Sequence, residues 1–418
     1  MKHIYTSLDI GSDSIKIVVC ELYQNKLNLL ASSSYKSKGI KKGLIVDVEK
    51  ASESIKYAIK DVKDMLGIDI DKVIVSVPSY FNEYSVAKAE IQIENENSIV
   101  TYDDIRNVLE KSIQSKEEND KEMINYIPVD FSVDDEKGIS NPLNKSGNKL
   151  SSRSIVVSTQ KKYVYSVISL LESIGVEVID ISTTCIGDIY AFKDKEIDNS
   201  IGIIINIGSE VTTISLYNRG VIVKNSVINM GGKNITKDIA YMYKTDFNTA
   251  NDLKIHFALA HKRNASTSDT YEIETDYDNE LKINQYEISE IVSSRLEEIL
   301  NLAKKEINIL TSKQIDYIII TGGTSNIADI KYTINDIFGR KVSIGNLKLI
   351  GIRDNKYSSC LGNIIYFINK LKLKGEEYTM IDDEESLKLA SNKNNYQDIN
   401  NETMLEKITD CFLANRRI

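Results

Sequence analysis

The sequence predicts a mixed α/β fold built from two related halves. Strand patterns with β-branched residues alternate with helical patterns along the chain, as in residues 6–33 followed by residues 48–67. An internal repeat is the second observation, because LDIGSDSIKIVVCEL from Leu8 aligns without a gap to INIGSEVTTISLYNR from Ile205. Two copies about half a chain apart indicate duplicated halves that face each other, with a ligand between their turns.

Composition restricts the class of protein. The chain has 418 residues, a net charge of −9, 42 % apolar and 27 % charged residues. These values are ordinary for a globular protein with two or more domains, and they argue against nucleic-acid binding. With no signal peptide at Met1 and no metal-ligand spacing among its four cysteines and three histidines, we expect a cytosolic protein with reduced thiols. No apolar run approaches the roughly 20 residues of a membrane-spanning helix.

Both repeated turns have the character of phosphate-binding loops. Gly11 and Gly208 lack a Cβ atom, which lets backbone N–H groups approach an anion closely. In the first turn Asp9 is suited to hold Mg²⁺ through water, and Lys16 is suited to reach the phosphates. The alternative is a pair of unrelated hairpins, but a third glycine loop, TGGTS at residues 321–325, favours a shared site.

Several segments resemble the FtsA family of bacterial cell-division proteins, which belongs to the actin, Hsp70 and sugar-kinase superfamily. They are SKGIKKGLIVDVEKASESIKYAI, EMINYIPVDFSVDDEKGISNPLNKSGNKLSSRSIVVST, INMGGKNITKDIA, YIIITGGTSNIADI and YSSCLGNIIYF. The second of these resembles a subdomain that actin and Hsp70 lack. The resemblance covers about residues 4–370. It implies an actin-like two-lobed α/β fold with duplicated βββαβα-type cores, an FtsA-type inserted subdomain, and a disordered C-terminal linker with a terminal amphipathic helix.

The resemblance also implies a division into domains. The segments are residues 1–81 with 163–190 and 358–371 as the lobe-one core, 82–162 as the inserted subdomain, 191–232 and 302–357 as the lobe-two core, and 233–301 as the outer part of lobe two. That outer part is the side that would receive the C-terminal peptide of the tubulin-like protein FtsZ. Residues 372–402 are polar and without apolar periodicity, which indicates a flexible linker before a membrane-targeting helix at 403–418.

Carried over residue by residue, the resemblance implies a site for ATP and Mg²⁺. The matching positions are Asp9, Gly11, Ser12 and Lys16 in the first loop, Gly208 and Ser209 in the second, Gly231 and Gly232 before the second-lobe helices, Lys254 within them, and Gly322 and Gly323 beside adenine and ribose. Asp9 would hold the Mg²⁺ through water. Each glycine also has a plain structural interpretation as a turn that needs a positive φ.

Two departures from the family pattern make hydrolysis doubtful. The second loop carries Asn206 where the family has Asp, and an amide lacks the charge that attracts Mg²⁺ and orients a water. In ANDLK the acid that usually meets the ribose is Asn251, and Asp252 would lie about 100° further around a helix. With Asp9 and Asn206 as the catalytic candidates, we expect at most slow ATPase activity, which Asn206→Asp should raise. The open alternative is that Glu210 replaces the missing acid.

The end of the chain is predicted to form an amphipathic helix. Its apolar face and terminal basic residues are Met404, Leu405, Ile408, Cys411, Phe412, Arg416 and Arg417. FtsA proteins carry a membrane-targeting helix at this place, and the two arginines favour an anionic membrane surface by roughly 1 kcal/mol each. The alternative from the residues alone is a short helix that docks on its own domain. Self-association would multiply such tails and strengthen weak binding.

The resemblance implies a cell-division adaptor on the cytoplasmic side of the cell membrane at the division septum. It would bind ATP, self-associate into filaments, recruit FtsZ, and contact other divisome proteins through the inserted subdomain. A PilM-like pilus adaptor stays open as an alternative, although such proteins normally lack the linker and terminal helix. A sugar or acetate kinase would need a further catalytic acid or base. An Hsp70-type chaperone would need more than the roughly 45 residues that follow the core.

Overall fold

The computed structural model describes residues 2–95, 97–114, 120–274, 280–382 and 384–389. The strands are β1 (His3–Ile10), β2 (Ser14–Tyr23), β3 (Lys26–Lys36), β4 (Ile40–Lys41), β5 (Leu44–Ile45), β6 (Lys72–Val77), β7 (Glu83–Gln92), β8 (Lys121–Val133), β9 (Glu136–Ile139), β10 (Lys149–Gln160), β11 (Glu177–Thr183), β12 (Ile201–Ile207), β13 (Thr212–Asn218), β14 (Val221–Ile228), β15 (Thr270–Glu274), β16 (Glu280–Asn284), β17 (Tyr317–Thr321) and β18 (Val342–Ile344). The α-helices are α1 (Val48–Leu66), α2 (Tyr102–Gln114), α3 (Lys161–Ser173), α4 (Thr184–Phe192), α5 (Gly232–Tyr243), α6 (Phe247–Asp252), α7 (Gln285–Leu310), α8 (Ile330–Phe338) and α9 (Ser358–Lys374).

The two lobes contain sheets of the same topology. Lobe one has the order β11-β6-β1-β2-β3, and lobe two has the order β14-β13-β12-β17-β18. In each sheet three antiparallel strands are followed by two parallel ones. The β1–β2 and β12–β13 hairpins, which carry the sequence repeat, therefore occupy equivalent places. The predicted two-lobed fold with duplicated cores is confirmed.

Burial explains why the central strands have nearly continuous apolar runs. In β1 every residue after His3 is buried, and in β12 the run Ile203–Ile205 is buried. Strands covered on both faces by helices are expected to be apolar on both faces. Helix α7 covers lobe two with an apolar stripe, in which Ile288, Val292 and Leu296 are fully buried.

The inserted subdomain leaves lobe one after β6 and returns to it at α3. Its four strands form a sheet in the order β7-β10-β8-β9, which α2 covers with Ile105, Val108 and Leu109. The insert also reaches the end of the C-terminal helix. The ring of Tyr102 lies against Gly375, and the Arg106 guanidinium donates a hydrogen bond of 2.8 Å to the carbonyl of Lys374. The C-terminal end of α9 is thus held by the insert.

Helices α4 and α9 cross between the lobes with their backbones in contact. A Cβ atom on Gly362 would lie 2.5 Å from the carbonyl carbon of Gly187. A Cβ atom on Gly187 would in turn lie 2.8 Å from the Cα atom of Ser359. Both positions therefore require glycine because of close approach. Through this crossing α9 returns to lobe one, and α4 connects the lobe-one strand β11 to β12 of lobe two.

The predicted linker boundary at residue 372 is too early. Helix α9 continues to Lys374, and the segment after it packs on lobe one. The Met380 N–H donates to the carbonyl of Ile4 over 2.9 Å, while the Ile4 N–H donates to the Thr379 hydroxyl over 3.0 Å. Met380 and Leu389 are buried. A few apolar residues in a polar sequence are enough to dock this segment, although they show no periodicity.

The predicted membrane-targeting helix at residues 403–418 lies outside the described residues, as do residues 390–402 of the predicted linker. Within the described ranges no helix is both long enough and apolar enough to cross a membrane.

We expect Met380→Ala to lower the free energy of unfolding by about 2–5 kcal/mol, because Met380 is 1 % exposed and its removal leaves a cavity under the segment. Leu387→Ala is the matched control, since Leu387 is 72 % exposed, and it should change stability by no more than about 0.5 kcal/mol. Urea unfolding of the full chain measures both. Equal effects of the two substitutions would show that the segment is not docked in solution.

Candidate functional site

A cleft of about 670 Å³ lies between the lobes, and all three predicted glycine turns meet in it. Of the predicted residues, Asp9, Gly11, Ser12, Lys16, Gly208, Ser209, Gly232, Lys254, Gly322 and Gly323 line its walls. Gly231 lies behind the wall. A Cβ atom on Gly231 would come within 2.6 Å of the carbonyl oxygen of Ser209, so this glycine permits close packing of two loops. Its predicted contact with a cofactor is not supported.

In the first hairpin Asp9 and Lys16 bind each other. The two residues are paired across β1 and β2, and Lys16 Nζ lies 2.8 Å from Asp9 Oδ2. The Ser76 hydroxyl donates to Asp9 Oδ1 over 2.9 Å. Burial alone would lower the pKa of Lys16, but the Asp9 carboxylate raises it above its ordinary value. The lysine is therefore a permanent cation near the start of β2, opposite the end of β1. A Cβ atom on Gly11 would lie 2.8 Å from the carbonyl oxygen of Ser14, so the turn needs glycine at this position.

The second hairpin is tied to the start of α5 and to the third glycine loop. The carbonyl of Gly208 accepts from the N–H of Gly232 over 2.9 Å and from the hydroxyl of Thr324 over 3.1 Å. Gly322 has φ of 89°, and a Cβ atom there would collide with Asn206 Oδ1. Gly323 differs, because its Cβ position has no neighbour closer than 3.8 Å. Gly322 is thus required by the fold, whereas Gly323 faces open space in the cleft.

Lys254 is a buried cation whose hydrogen-bond partners are all neutral. It is 9 % exposed and lies on a π-helical turn that follows α6. Its Nζ donates to Asn251 Oδ1 and to the Thr236 hydroxyl, each over 2.8 Å, and to the carbonyl of Gly232 over 3.4 Å. Burial lowers its pKa to about 8. A buried ammonium group without a bonded carboxylate in the wall of a cleft suits an anionic ligand.

Asn251 and Asp252 are the last two residues of α6, so Asp252 keeps the predicted offset of about 100° from Asn251. Both Asn251 and Asp252 line the cleft. The cleft is therefore wide enough to include two neighbouring positions of the helix, and the π-helical turn begins only after them, at Leu253. Asn251, which stands at the place of the family's acid, accepts the hydrogen bond from Lys254 instead of offering a charge.

Asn206 is held by a residue that sequence analysis missed. Its Nδ2 donates to Asp188 Oδ2 over 2.7 Å, and Asp188 Oδ1 accepts from the hydroxyls of Ser358 at 2.6 Å and Ser359 at 3.1 Å. Burial raises the pKa of Asp188 to about 6, although these hydrogen bonds act against the rise. Its signal in the sequence is a lone carboxylate within the apolar helix TCIGDIYAF.

This contact changes the expectation for Asn206→Asp. The new carboxylate would lie where the amide now touches Asp188 Oδ2 at 2.7 Å. Two like charges at that distance repel strongly, and the favourable hydrogen bond is lost. The single substitution is therefore not a simple gain of a catalytic acid.

Glu210 points across the cleft to lobe one. Its Oε2 accepts from the N–H of Lys42 over 2.6 Å, and its Oε1 accepts from Lys233 Nζ over 2.9 Å. Burial acts to raise the pKa of Glu210, but the bonds from Lys233 and Lys42 outweigh it and leave the pKa below its ordinary value. Because both oxygens already have partners from the two lobes, Glu210 serves as a bridge between them. The alternative that it replaces the acid at position 206 finds no support in this geometry.

The duplicated lobes, the cleft between them and the glycine turns define an actin-like protein. Solved structures with this fold include the PilM–PilN type IV pilus biogenesis complex, with a TM-score of 0.56 at 15 % identity, covering 87 % of this chain and 98 % of that chain. MreB5 of Spiroplasma citri bound to ADP has a TM-score of 0.53 at 15 % identity, covering 89 % of this chain and 98 % of that chain. At this identity the likeness concerns the fold alone.

Sequence comparisons identify the family. The family model "Cell division protein FtsA" matches residues 203–362, and "SHS2 domain inserted in FTSA" matches residues 83–158. The cell division protein FtsA of Bacillus subtilis is 26 % identical over 90 % of this chain and 86 % of its own length. That of Staphylococcus epidermidis is 29 % identical over 87 % of this chain and 78 % of its own length. The chain belongs to the FtsA family of cell division proteins, so the pilus-adaptor alternative rests on the fold alone.

We expect Glu210→Ala to speed amide hydrogen exchange in residues 37–47, because the Lys42 N–H loses its acceptor and the loop loses its tie to lobe two. Exchange in α1 should stay unchanged. Glu53→Ala, which removes an exposed carboxylate from α1, is the control and should leave residues 37–47 as protected as in the wild type. Unchanged exchange of residues 37–47 in Glu210→Ala would contradict the proposed bridge.

Proposed function

We propose that the protein is an ATP-binding, self-associating adaptor that tethers FtsZ filaments to the inner face of the cytoplasmic membrane at the division septum. The observation that carries the proposal is the combination of an interlobe cleft with the inserted subdomain of the FtsA family. An interlobe cleft is a feature of actin-like nucleotide switches, and the inserted subdomain distinguishes this family from other actin-like proteins.

The cleft suits a nucleotide polyphosphate. It offers the cations Lys16 and Lys254 and the open space beside Gly323. MreB5, which shares the fold, is described in complexes with ADP and with AMPPNP. Asp9 is the carboxylate placed to hold hydrated Mg²⁺, and the ion would neutralise charge on the phosphates. Because Lys16 and Ser76 already fix Asp9, the carboxylate is oriented before a ligand arrives.

Hydrolysis should be slow. Position 206 supplies an amide, and the nearby carboxylate of Asp188 is 2 % exposed and satisfied by hydrogen bonds. Charge that is placed to stabilise the transition state supplies much of phosphoryl-transfer catalysis, and its absence commonly costs several kcal/mol. Nucleotide would then act mainly as a ligand that closes the lobes and favours self-association.

A surface on the outer part of lobe two supports the proposed binding of the FtsZ peptide. A surface depression between α5 and α7 is flanked by Tyr241, which is 72 % exposed, and by Met242. Arg295 lies in it and pairs with Asp238 Oδ2 at 2.5 Å and with Glu298 Oε2 at 2.5 Å. Exposed aromatic and methionine side chains beside an arginine are typical of a peptide-binding surface.

Self-association and later partners are assigned to the inserted subdomain. Strands β7 and β9 form the edges of its sheet. An edge strand can pair with a strand from another chain, which makes the insert suited to contacts between subunits or with other divisome proteins.

We expect ATP affinity to fall roughly tenfold as the pH rises from 7.5 to 9.5. The pKa of Lys254 is about 8 in the free protein, so the cation that meets the phosphates is lost as the pH passes that value. Lys254→Met should bind ATP more weakly and with little dependence on pH. Lys356→Met is the matched control, because Lys356 also lines the cleft but pairs with Asp354, and it should keep the wild-type pH profile. Titration with fluorescent ATP measures all three proteins; a flat wild-type profile would contradict the role of Lys254.

We expect the wild-type protein to carry FtsZ filaments into a liposome pellet in a co-sedimentation assay. Phe412→Glu places a charge on the predicted apolar face and should cost about 2 kcal/mol, or roughly thirtyfold in partitioning per tail. Thr403→Glu adds the same charge on the opposite face and should leave recruitment intact. Recruitment by Phe412→Glu at the wild-type level would show that the membrane tether lies elsewhere.

A further inference from the structure

A carboxylate and an amide from different lobes meet at the base of the cleft. Asp188 comes from α4, and Asn206 is the next-to-last residue of β12. The carboxylate accepts three hydrogen bonds, one from Asn206 and two from the hydroxyls of Ser358 and Ser359 at the start of α9. Three donors from two elements, β12 and α9, leave Asp188 a single orientation.

Asp188 also decides which end of the Asn206 amide faces the cleft. An ionised carboxylate can only accept hydrogen bonds, so the NH₂ group must point to it and the carbonyl oxygen must point away. Oδ1 lies against Gly322, which together with Asn206 lines the cleft. It accepts no hydrogen bond from the described part of the chain, and Asn206 is only half-buried. A hydrogen-bond acceptor is thus presented to whatever occupies the cleft.

We propose that Asp188 is a positioning residue of the nucleotide site, which fixes Asn206 so that its carbonyl oxygen accepts a hydrogen bond from a water bound to the nucleotide's divalent cation. This inference rests on the proposed binding of ATP with Mg²⁺. The Asp188 charge reaches the cleft through the amide, because a hydrogen bond to the NH₂ group polarises the carbonyl oxygen and makes it a stronger acceptor. Asp188 itself is buried behind Asn206 and acts through the amide that it holds.

Loss of Asp188 should change how strongly Mg²⁺ improves ATP binding. We measure this Mg²⁺ enhancement as the ratio of the ATP dissociation constant in EDTA to that in Mg²⁺. Without Asp188 the Asn206 amide can turn and present its NH₂ group to the cation's water. Asp188→Ala should therefore lower the Mg²⁺ enhancement at least about fivefold and change the affinity in EDTA by less than about twofold.

An exchange of the two side chains tests the pair itself. Asn206→Asp alone brings two carboxylates together and should weaken ATP binding in Mg²⁺. Combined with Asp188→Asn, it restores one amide–carboxylate hydrogen bond and puts the carboxylate on the cleft side. The double variant should regain at least the wild-type Mg²⁺ enhancement. If Asp188 only stabilised the fold, the double variant would not recover the Mg²⁺ enhancement.

The experiment compares the full-length wild type, Asp188→Ala, Asn206→Asp and the double variant by titration with fluorescent ATP. Asp180→Ala is the control, because Asp180 is another largely buried carboxylate, paired with Lys370 at 2.6 Å away from the cleft, and its removal should leave the Mg²⁺ enhancement unchanged. If Asp188→Ala does not fold, the double variant against Asn206→Asp decides the question. An unchanged enhancement in Asp188→Ala, or no recovery in the double variant, overturns the inference. A wild type that binds no ATP in either buffer instead overturns the proposed function.

Discussion

The close contact of α4 and α9 is the constraint on which the cleft depends. Because Gly187 and Gly362 bring the two backbones together, the residues beside them have almost no freedom of position. Asp188 follows Gly187 directly, and Ser359 lies opposite it on α9. The crossing therefore determines where the carboxylate stands relative to β12. Larger side chains at either glycine would separate the helices and remove the support of Asn206, although neither glycine belongs to the cleft.

Outside this crossing, the lobes are joined by a few polar contacts. On the side of the first hairpin, Glu210 reaches the N–H of Lys42. Elsewhere, the Tyr84 hydroxyl donates to Asn225 Oδ1 over 2.7 Å, and Asn225 Nδ2 donates to the carbonyl of Ser79 over 2.9 Å. Individual hydrogen bonds contribute only about 0.5–1.5 kcal/mol each, whereas the glycine crossing is part of a continuous apolar core. The crossing therefore contributes more to holding the lobes together than these polar contacts do.

Local patterns in the sequence were enough to predict the duplicated topology and the glycine turns that meet in the cleft. The repeated Ile-Gly-Ser turns place Gly11 and Gly208 at equivalent hairpins, and the strands around them are apolar enough to identify. What the sequence did not reveal depends on long-range contacts. The partners of Asp188 lie 18 and 170 residues away, so no spacing connects them. The docking of Met380 on Ile4 joins opposite ends of the chain in the same way.

The pairing of Asp188 with Asn206 gives a physical reason why this chain can bind a nucleotide without a carboxylate at position 206. A negative charge is still present at the base of the cleft, but it lies on α4 and one hydrogen bond further from the ligand. Coulomb interactions weaken only as the inverse of distance, so a cation held near Asp9 still experiences that charge. Orienting an attacking water is more demanding, because it needs an acceptor of high charge density in direct contact. Because its NH₂ group donates to Asp188, the Asn206 amide oxygen is polarised enough to help hold a cation. It orients an attacking water only weakly. A carboxylate that acts through an intervening amide therefore preserves binding of the nucleotide in the ground state and weakens mainly the stabilisation of the transition state. This arrangement suits a protein whose nucleotide serves assembly more than turnover.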